Sequence, residues 1–306
     1  MLEDILAAGA RIAVPILFAA LGEMLIERAG VLNLGIEGIM EVAAVTAFLT
    51  FCFTESTGLS LALAILIAIP LGLIFAFMVV NLYANQVLTG LAIWVLGEGI
   101  AAFAYRIFLP KLPSITIEGV SRLPIPILSE LPLLGGIFSQ DIFLYAAFTM
   151  IFVIWVLVYM TSFGLTIRSV GHMPLAARDL GLSPKYVKYI CILVGVSLMA
   201  VGGAYLTLTI TNAYYHPTPF LGIVSSRGFI AIIIVILGSW HPVRIGIAAF
   251  FFGIVDATQL RLQNLYPAVP TYFYIMLPYL AAFVTLIFFR GSEKPLGLAE
   301  PYIEER

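Results

Sequence analysis

The sequence predicts an all-α polytopic membrane bundle of about nine transmembrane helices (eight to ten), forming one domain over residues 1–306. Three observations carry this. Of the 306 residues, 62% are hydrophobic, and the mean hydropathy is +1.09. Only 10% are charged, far below the roughly 25% typical of soluble domains and too few to coat a water-facing surface. Apolar runs of about 20 residues, the length that crosses a bilayer core, recur along the whole chain.

The first span, about 5–25, follows an acidic N-terminus, MLEDILAAGA, that lacks a basic region and a cleavage signal and is therefore expected to be retained. Spans follow at about 36–53, 60–80 and 87–108, then a proline-rich loop, 109–140, and a span at 141–160. A loop over 162–188 leads into 187–209. The next apolar run, 227–240, is short and lies between the polar TNAYYHPTPFLGIVSSRG and SWHPVR. A full crossing and a broken or re-entrant helix both remain open there. The last two spans are 244–260 and 271–290.

Orientation follows from lysine and arginine in short loops. Arg168, Arg178, Lys185 and Lys188 against Asp179 put loop 162–188 in the cytoplasm. Arg290 and Lys294 put the C-terminal end on the same side, and the parity of spans agrees. The N-terminus and loop 109–140, which carries Lys111 and Arg122, then lie outside. The cell (inner, cytoplasmic) membrane is the expected location, with lipid around the bundle.

Absences narrow the function. There is no G-x-x-x-x-G-K-[ST] loop, so this chain is not expected to hydrolyse ATP by that route. No H-E-x-x-H, C-x-x-C or G-x-S-x-G occurs, and His172, His216 and His241 are scattered; neither a catalytic residue nor a metal site is expected. Cys52 and Cys191 lie in separate apolar runs, and a net charge of −2 leaves no nucleic-acid footprint. No cofactor is expected on this chain.

Two polar stretches interrupt the apolar pattern. ERAGVLNLGIEGIM, 27–40, places Asn33 and Glu37 among glycines, with Glu41 four residues on and so on the same helical face. A charge at the bilayer centre costs about 2.5–3.5 kcal/mol, so this segment is expected at the cytoplasmic end, facing the bundle interior, with one carboxylate paired to a cation such as Arg28. Asn33 can satisfy backbone groups or line a polar path, and a structural brace and a gate both remain open. In NLYANQVLTG, Asn81, Asn85, Gln86 and Thr89 are uncharged groups suited to a polar, uncharged solute or to holding helices together. Arg11, Glu98 and Asp256 also lie within spans, with Asp256 able to pair with Arg261 or Arg11. Tyr205, Tyr214, Tyr215 and His216 form either an interfacial belt or a stacking surface.

Loop 162–188 reads as a short capped helix between two longer ones. Pro174 suits a first turn, Gly181 a C-terminal cap, and Ser183 the cap of the next helix. Ala176, Ala177 and Gly181 would leave one surface of it nearly bare, open to another protein.

These segments carry a family resemblance. LAARDLG resembles the coupling segment of ABC-importer permeases, with Leu175 where the usual glutamate stands. The longer RSVGHMPLAARDLGL is similar to the branch serving branched-chain amino acids, ribose and nucleosides. ALGEMLIERAGVLNLGIEGIM resembles the E-R-A-G-V-x-N-I-G-x-E-G-M signature of simple-sugar and nucleoside permeases that use basic membrane lipoprotein-type binding proteins. NLYANQVLTGLAIWVLG (81–97) and SSRGFIAIIIVILGSWHPVRIG (225–246) are similar to two further family segments, in the same order.

The resemblance implies the permease subunit of an ATP-driven importer of nucleosides or simple sugars, working by alternating access. It implies a second homologous permease, a duplicated ATP-binding subunit and an extracytoplasmic substrate-binding lipoprotein as partners, with ATP bound at the partner subunit. Gly171, His172, Pro174, Ala176, Ala177, Arg178 and Gly181 would couple to the ATPase; Asn33, Glu37, Asn85, Gln86 and Thr89 would line the path or gate it. The alternative is a proton- or sodium-coupled transporter using Glu23, Glu27, Glu37, Glu41, Glu98 and Asp256. It leaves the stiff basic loop without a role.

Overall fold

A computed structural model describes residues 2–108, 110, 117, 119–126, 128–130, 135–216, 222–288 and 294–300. Among these, seven helices are long and apolar enough to cross a membrane: α1 (Leu2–Arg28), α2 (Ile36–Thr54), α3 (Thr57–Ala76), α4 (Gln86–Phe108), α5 (Ile142–Met160), α8 (Pro184–Tyr205) and α10 (Pro242–Leu265). Two shorter apolar helices, α9 (Arg227–Leu237) and α11 (Thr271–Phe288), complete the bundle. The expected run at 227–240 is thus an 11-residue helix, too short at 1.5 Å per residue to cross alone. Two small helices, α6 (Ser162–His172) and α7 (Pro174–Asp179), occupy the 162–188 loop. Of the charges used for orientation, Lys111 and Arg290 lie outside the described residues, as does much of 109–140. What is described of that loop includes a two-stranded ribbon pairing Leu123–Pro124 with Ser139–Gln140.

The bundle is organised around an antiparallel pair, α1 with α8. Gly22 and Gly195 face each other so closely that a Cβ on either would lie 2.5 or 2.6 Å from the other's carbonyl oxygen. Farther along, Gly202 meets the carbonyl of Pro15. Small residues let two membrane helices approach to backbone contact, where dispersion rather than the hydrophobic effect holds them. Around this pair the other contacts repeat in reverse direction. α2 packs on α8 as α9 packs on α1, and α3 rests on α8 as α10 rests on α1; the fourth helices differ, α4 packing along α2 while α11 packs on α10 and only touches α9. The chain is therefore two inverted four-helix units, α1–α4 and α8–α11, the repeat architecture of many transporters. α5 packs on α1 and α10.

In both units the first helix is followed by chain that turns back into the bundle. Residues 29–35 form a buried, non-helical segment before α2. After α8, a π-helical turn over Leu206–Ile210 leads into irregular chain at 211–216, and residues 222–226 lie non-helical before α9. Irregular backbone survives in a membrane only where protein satisfies its polar groups.

Asp141 ties the two units at the end opposite α6 and α7. It caps α5, accepting from the amides of Phe143 and Leu144 at 3.0 and 3.2 Å, and also accepts from the Tyr205 hydroxyl at 2.9 Å. Arg11 stands 4.0 Å away. Asp141→Ala should lower the unfolding temperature in detergent by more than a lost cap, about 1 kcal/mol, because it also strands the buried Tyr205 hydroxyl at about 1–3 kcal/mol. In a Tyr205→Phe background the penalty of Asp141→Ala should shrink. Equal penalties in the two backgrounds would refute the shared role.

Candidate functional site: a clamped half-helix and an exposed helical turn

The ERAGVLNLGIEG motif, together with Glu41, holds the short helix α9 at both ends. A helix terminus leaves amides or carbonyls without partners and carries a partial charge. At the start of α9, Glu37 accepts from the amides of Ser226 (2.5 Å) and Gly228 (2.7 Å). One turn along α2, Glu41 accepts from Ile223 and Val224 at 3.1 and 3.0 Å and from the Tyr214 hydroxyl at 2.6 Å. Past the end of α9, Arg28 donates from Nε and Nη2 to the Trp240 carbonyl at 3.1 and 2.9 Å, and Nη2 also meets the Tyr159 hydroxyl. The Trp240 indole donates to Glu27. Anion at the positive end and cation at the negative end is the favourable polarity. His241, beside this joint, is held below its ordinary pKa by burial and then by Arg244 and Arg28, so it is neutral near pH 7.

Neither Glu37 nor Glu41 has the Arg28 partner expected from the sequence: both carboxylates are engaged by backbone amides. Glu98 bonds His216 at 3.0 Å, and Tyr214 lies between His216 and Tyr105. Tyr214 and His216 are buried while Tyr215 is exposed, so they do not form one belt. Asp256 pairs with Arg227 at 3.3 Å instead of Arg261 or Arg11; Arg261 pairs with Asp4.

Asn33 is fully buried. Its amide N–H donates to Glu23 and its side-chain oxygen accepts from Gly35, both at 2.8 Å, so it organises the 29–35 turn. Gln86 accepts from Leu32 at 2.7 Å and donates to the carbonyl of Glu300 at 3.3 Å. Asn85 caps α4 through Leu88, and Thr89 bonds back to the Asn85 carbonyl. These residues thus cluster where the α1–α2 turn, the start of α4 and the C-terminal segment meet.

Segment 162–188 holds the short capped helix expected from its proline and glycine. Pro174 opens α7; Gly181, at φ +83°, closes it with a bond to the Arg178 carbonyl (2.8 Å), and Leu182 bonds back to Ala177 (3.1 Å). This double closure is the Schellman arrangement, which needs a left-handed residue. Ser183 stands at the cap of α8 but makes no side-chain cap bond. The bare surface expected from Ala176, Ala177 and Gly181 is divided: Ala177 packs inward with Ala29, Ile167, Val170, Val187 and Cys191, while Ala176 and Gly181 are exposed. The outward face carries apolar side chains, with Leu180 83% and Leu175 49% exposed beside Met173, next to the Arg178–Asp179 pair. Sequence reasoning missed these because Leu175 sits on a six-residue helix, with Met173 and Leu180 at its caps, too short a stretch for periodicity to show a face. Gly171 touches the Arg28 carbonyl and accepts from Gly297 at 3.0 Å, and His172 faces the Leu296 amide.

The family model described as branched-chain amino acid transport system / permease component matches residues 5–287. The chain belongs to this family. Family membership makes it the permease subunit of an ABC importer and a multi-pass membrane protein. It is 32% identical over 304 residues to the guanosine ABC transporter permease protein NupQ of Bacillus subtilis, covering 95% of this permease and 94% of NupQ. TsgC13 of Haloferax volcanii, an ABC transporter permease named for glucose, is 32% identical, with 85% of the permease and 78% of TsgC13 covered. The nucleoside ABC transporter permease protein NupC of Lactococcus lactis is 27% identical, with 91% and 89% covered. No solved structure matches the permease at a significant level.

Glu37→Ala in this permease should cost on the order of 3 kcal/mol, since it frees two buried amides from a charged acceptor. Glu37→Gln, which keeps one acceptor, should cost less. Unfolding temperatures in detergent test the order; equal, small losses would mean that Glu37 does not hold α9.

Proposed function

We propose that this chain is the translocating subunit of an ATP-driven importer of nucleosides or simple sugars, operating by alternating access. The observation that carries the reading is the exposed apolar face of the α7 turn, which is stiff and tied to the clamp on α9. A contact on Leu175 or Leu180 meets a closed helix rather than a yielding loop. Behind it, Gly171 abuts the Arg28 carbonyl, and Arg28 holds the end of α9. Closure of an ATPase dimer against this face would thus reach the α1–α2 turn and α9 together.

The partners in this reading are a second homologous permease forming a heterodimer, a duplicated ATP-binding subunit that hydrolyses ATP, and an extracytoplasmic substrate-binding lipoprotein. The basic 162–188 segment faces the cytoplasm with the C-terminus, and the N-terminus lies outside. The names of the relatives support a sugar ring in the solute. Ion coupling is disfavoured because Glu37 and Glu41 already serve backbone amides.

Single cysteines at Leu180, Leu175 and Ala177, with Cys52 and Cys191 replaced, provide the test in membranes holding the whole importer. Leu180→Cys and Leu175→Cys should cross-link to the ATP-binding subunit in a nucleotide-dependent way, and buried Ala177→Cys at least tenfold less. Absence of any cross-link from Leu180 or Leu175 while uptake persists would overturn the reading. Leu180→Asp should reduce co-purification of the ATP-binding subunit several-fold and leave the unfolding temperature of the permease unchanged, because Leu180 is on the surface.

A further inference from the structure

We propose that the cavity left above the start of α9 binds the vicinal diol of a neutral sugar ring; this rests on the importer reading and assigns the solute-contacting residues. Because α9 begins inside the bundle, no helix fills the space beyond its first turn. A cavity of about 330 Å³ opens there between α1, α9, α10 and α11, within the range of small-molecule sites.

Its lining sets five polar residues, Ser225, Ser226, Arg227, Asp256 and Gln259, among apolar ones. Gln259 on α10 is 92% buried, given its 8% exposure, yet makes no hydrogen bond among the described residues and lines the cavity. Its amide oxygen and nitrogen are open to the cavity and can bond a polar occupant. Arg227 and Asp256 line the same wall as an ion pair at 3.3 Å. The Nε of Arg227 is buried and lacks a partner among the described residues. Ser225 and Ser226 form the floor, both with left-handed backbone, at φ 50° and 66°. Such strain in non-glycine residues is retained where surrounding contacts impose it, often at binding sites. Here the imposed geometry turns the Ser226 amide to Glu37 and leaves its hydroxyl without a cap bond. Tyr215 and Tyr279 stand at the more exposed rim.

This set selects a ligand class. The Arg227–Asp256 pair is internally neutralised, so an anion would meet the carboxylate and a cation the guanidinium. A neutral solute meets neither penalty. Two adjacent hydroxyls of one ring can donate to Asp256 and to the Gln259 oxygen, while the Gln259 amide donates back. The tyrosines offer faces to a second ring, as in a nucleoside. Free sugars and nucleosides share the diol and differ in that second ring.

The test is thiol protection at Gln259→Cys, with Tyr279→Cys at the rim as a second probe, both in the assembled importer lacking Cys52 and Cys191. Alkylation by a small thiosulfonate is timed with guanosine, 2′,3′-dideoxyguanosine or glucose at about ten times the half-saturating concentration. Guanosine should slow labelling about tenfold, and the dideoxy compound should not. Slowing by glucose as well supports recognition of the sugar ring alone; slowing by guanosine only adds the base to the site. Equal slowing by guanosine and its dideoxy analogue overturns the diol assignment. No slowing at either position, with ATP-dependent guanosine or glucose uptake intact in the cysteine-free parent, overturns the site while sparing the importer reading. Loss of uptake of both solutes in that parent overturns the importer reading, and the site falls with it.

Discussion

Everything in this bundle turns on one electrostatic requirement: a short helix inside a membrane has two unsatisfied ends, and each must be met by protein. α9 begins and ends within the protein, and side chains of the first unit meet both ends. Glu37 and Arg28 supply opposite charges at the two ends, and Glu41 fastens the chain just before the first turn. Three charged residues that look misplaced in a sequence this apolar become the least costly way to keep a broken helix. The break itself opens the space beside Gln259.

The inverted repeat explains why these charges come from the first unit and the broken helix from the second. Antiparallel packing of α1 on α8 brings the chain before α9 against α2, where Glu37 and Glu41 complete its backbone. The first unit's own turn is satisfied from within, by Glu23, Asn33 and Gln86. The glycine contact between Gly22 and Gly195 sets the separation of the two units, and any larger side chain there would push the clamps apart.

Hydropathy made the membrane class, most spans and the shortness of 227–240 legible, because each depends on composition over many residues. The closure of α7 was legible too, since proline and glycine punctuate a chain locally. What the carboxylates bind was not. Their partners are amides of Ile223, Val224, Ser226 and Gly228, and an amide has no identity in a sequence. Asp256 illustrates the same difficulty among side chains: Arg261 lies five positions away and Arg227 twenty-nine, yet packing selects Arg227. The inward turn of Ala177 was hidden because a helix of six residues has too little periodicity to reveal a face.

The clamp also imposes an order on biogenesis. Glu37 enters the membrane 189 residues before Ser226 and 191 before Gly228. Through most of synthesis the nascent first unit must therefore hold its carboxylates against water, lipid headgroups or the insertion machinery. The last link comes later still, when Gly297 reaches Gly171. A chain halted between α2 and α9 leaves these carboxylates without the amides that engage them in the finished fold.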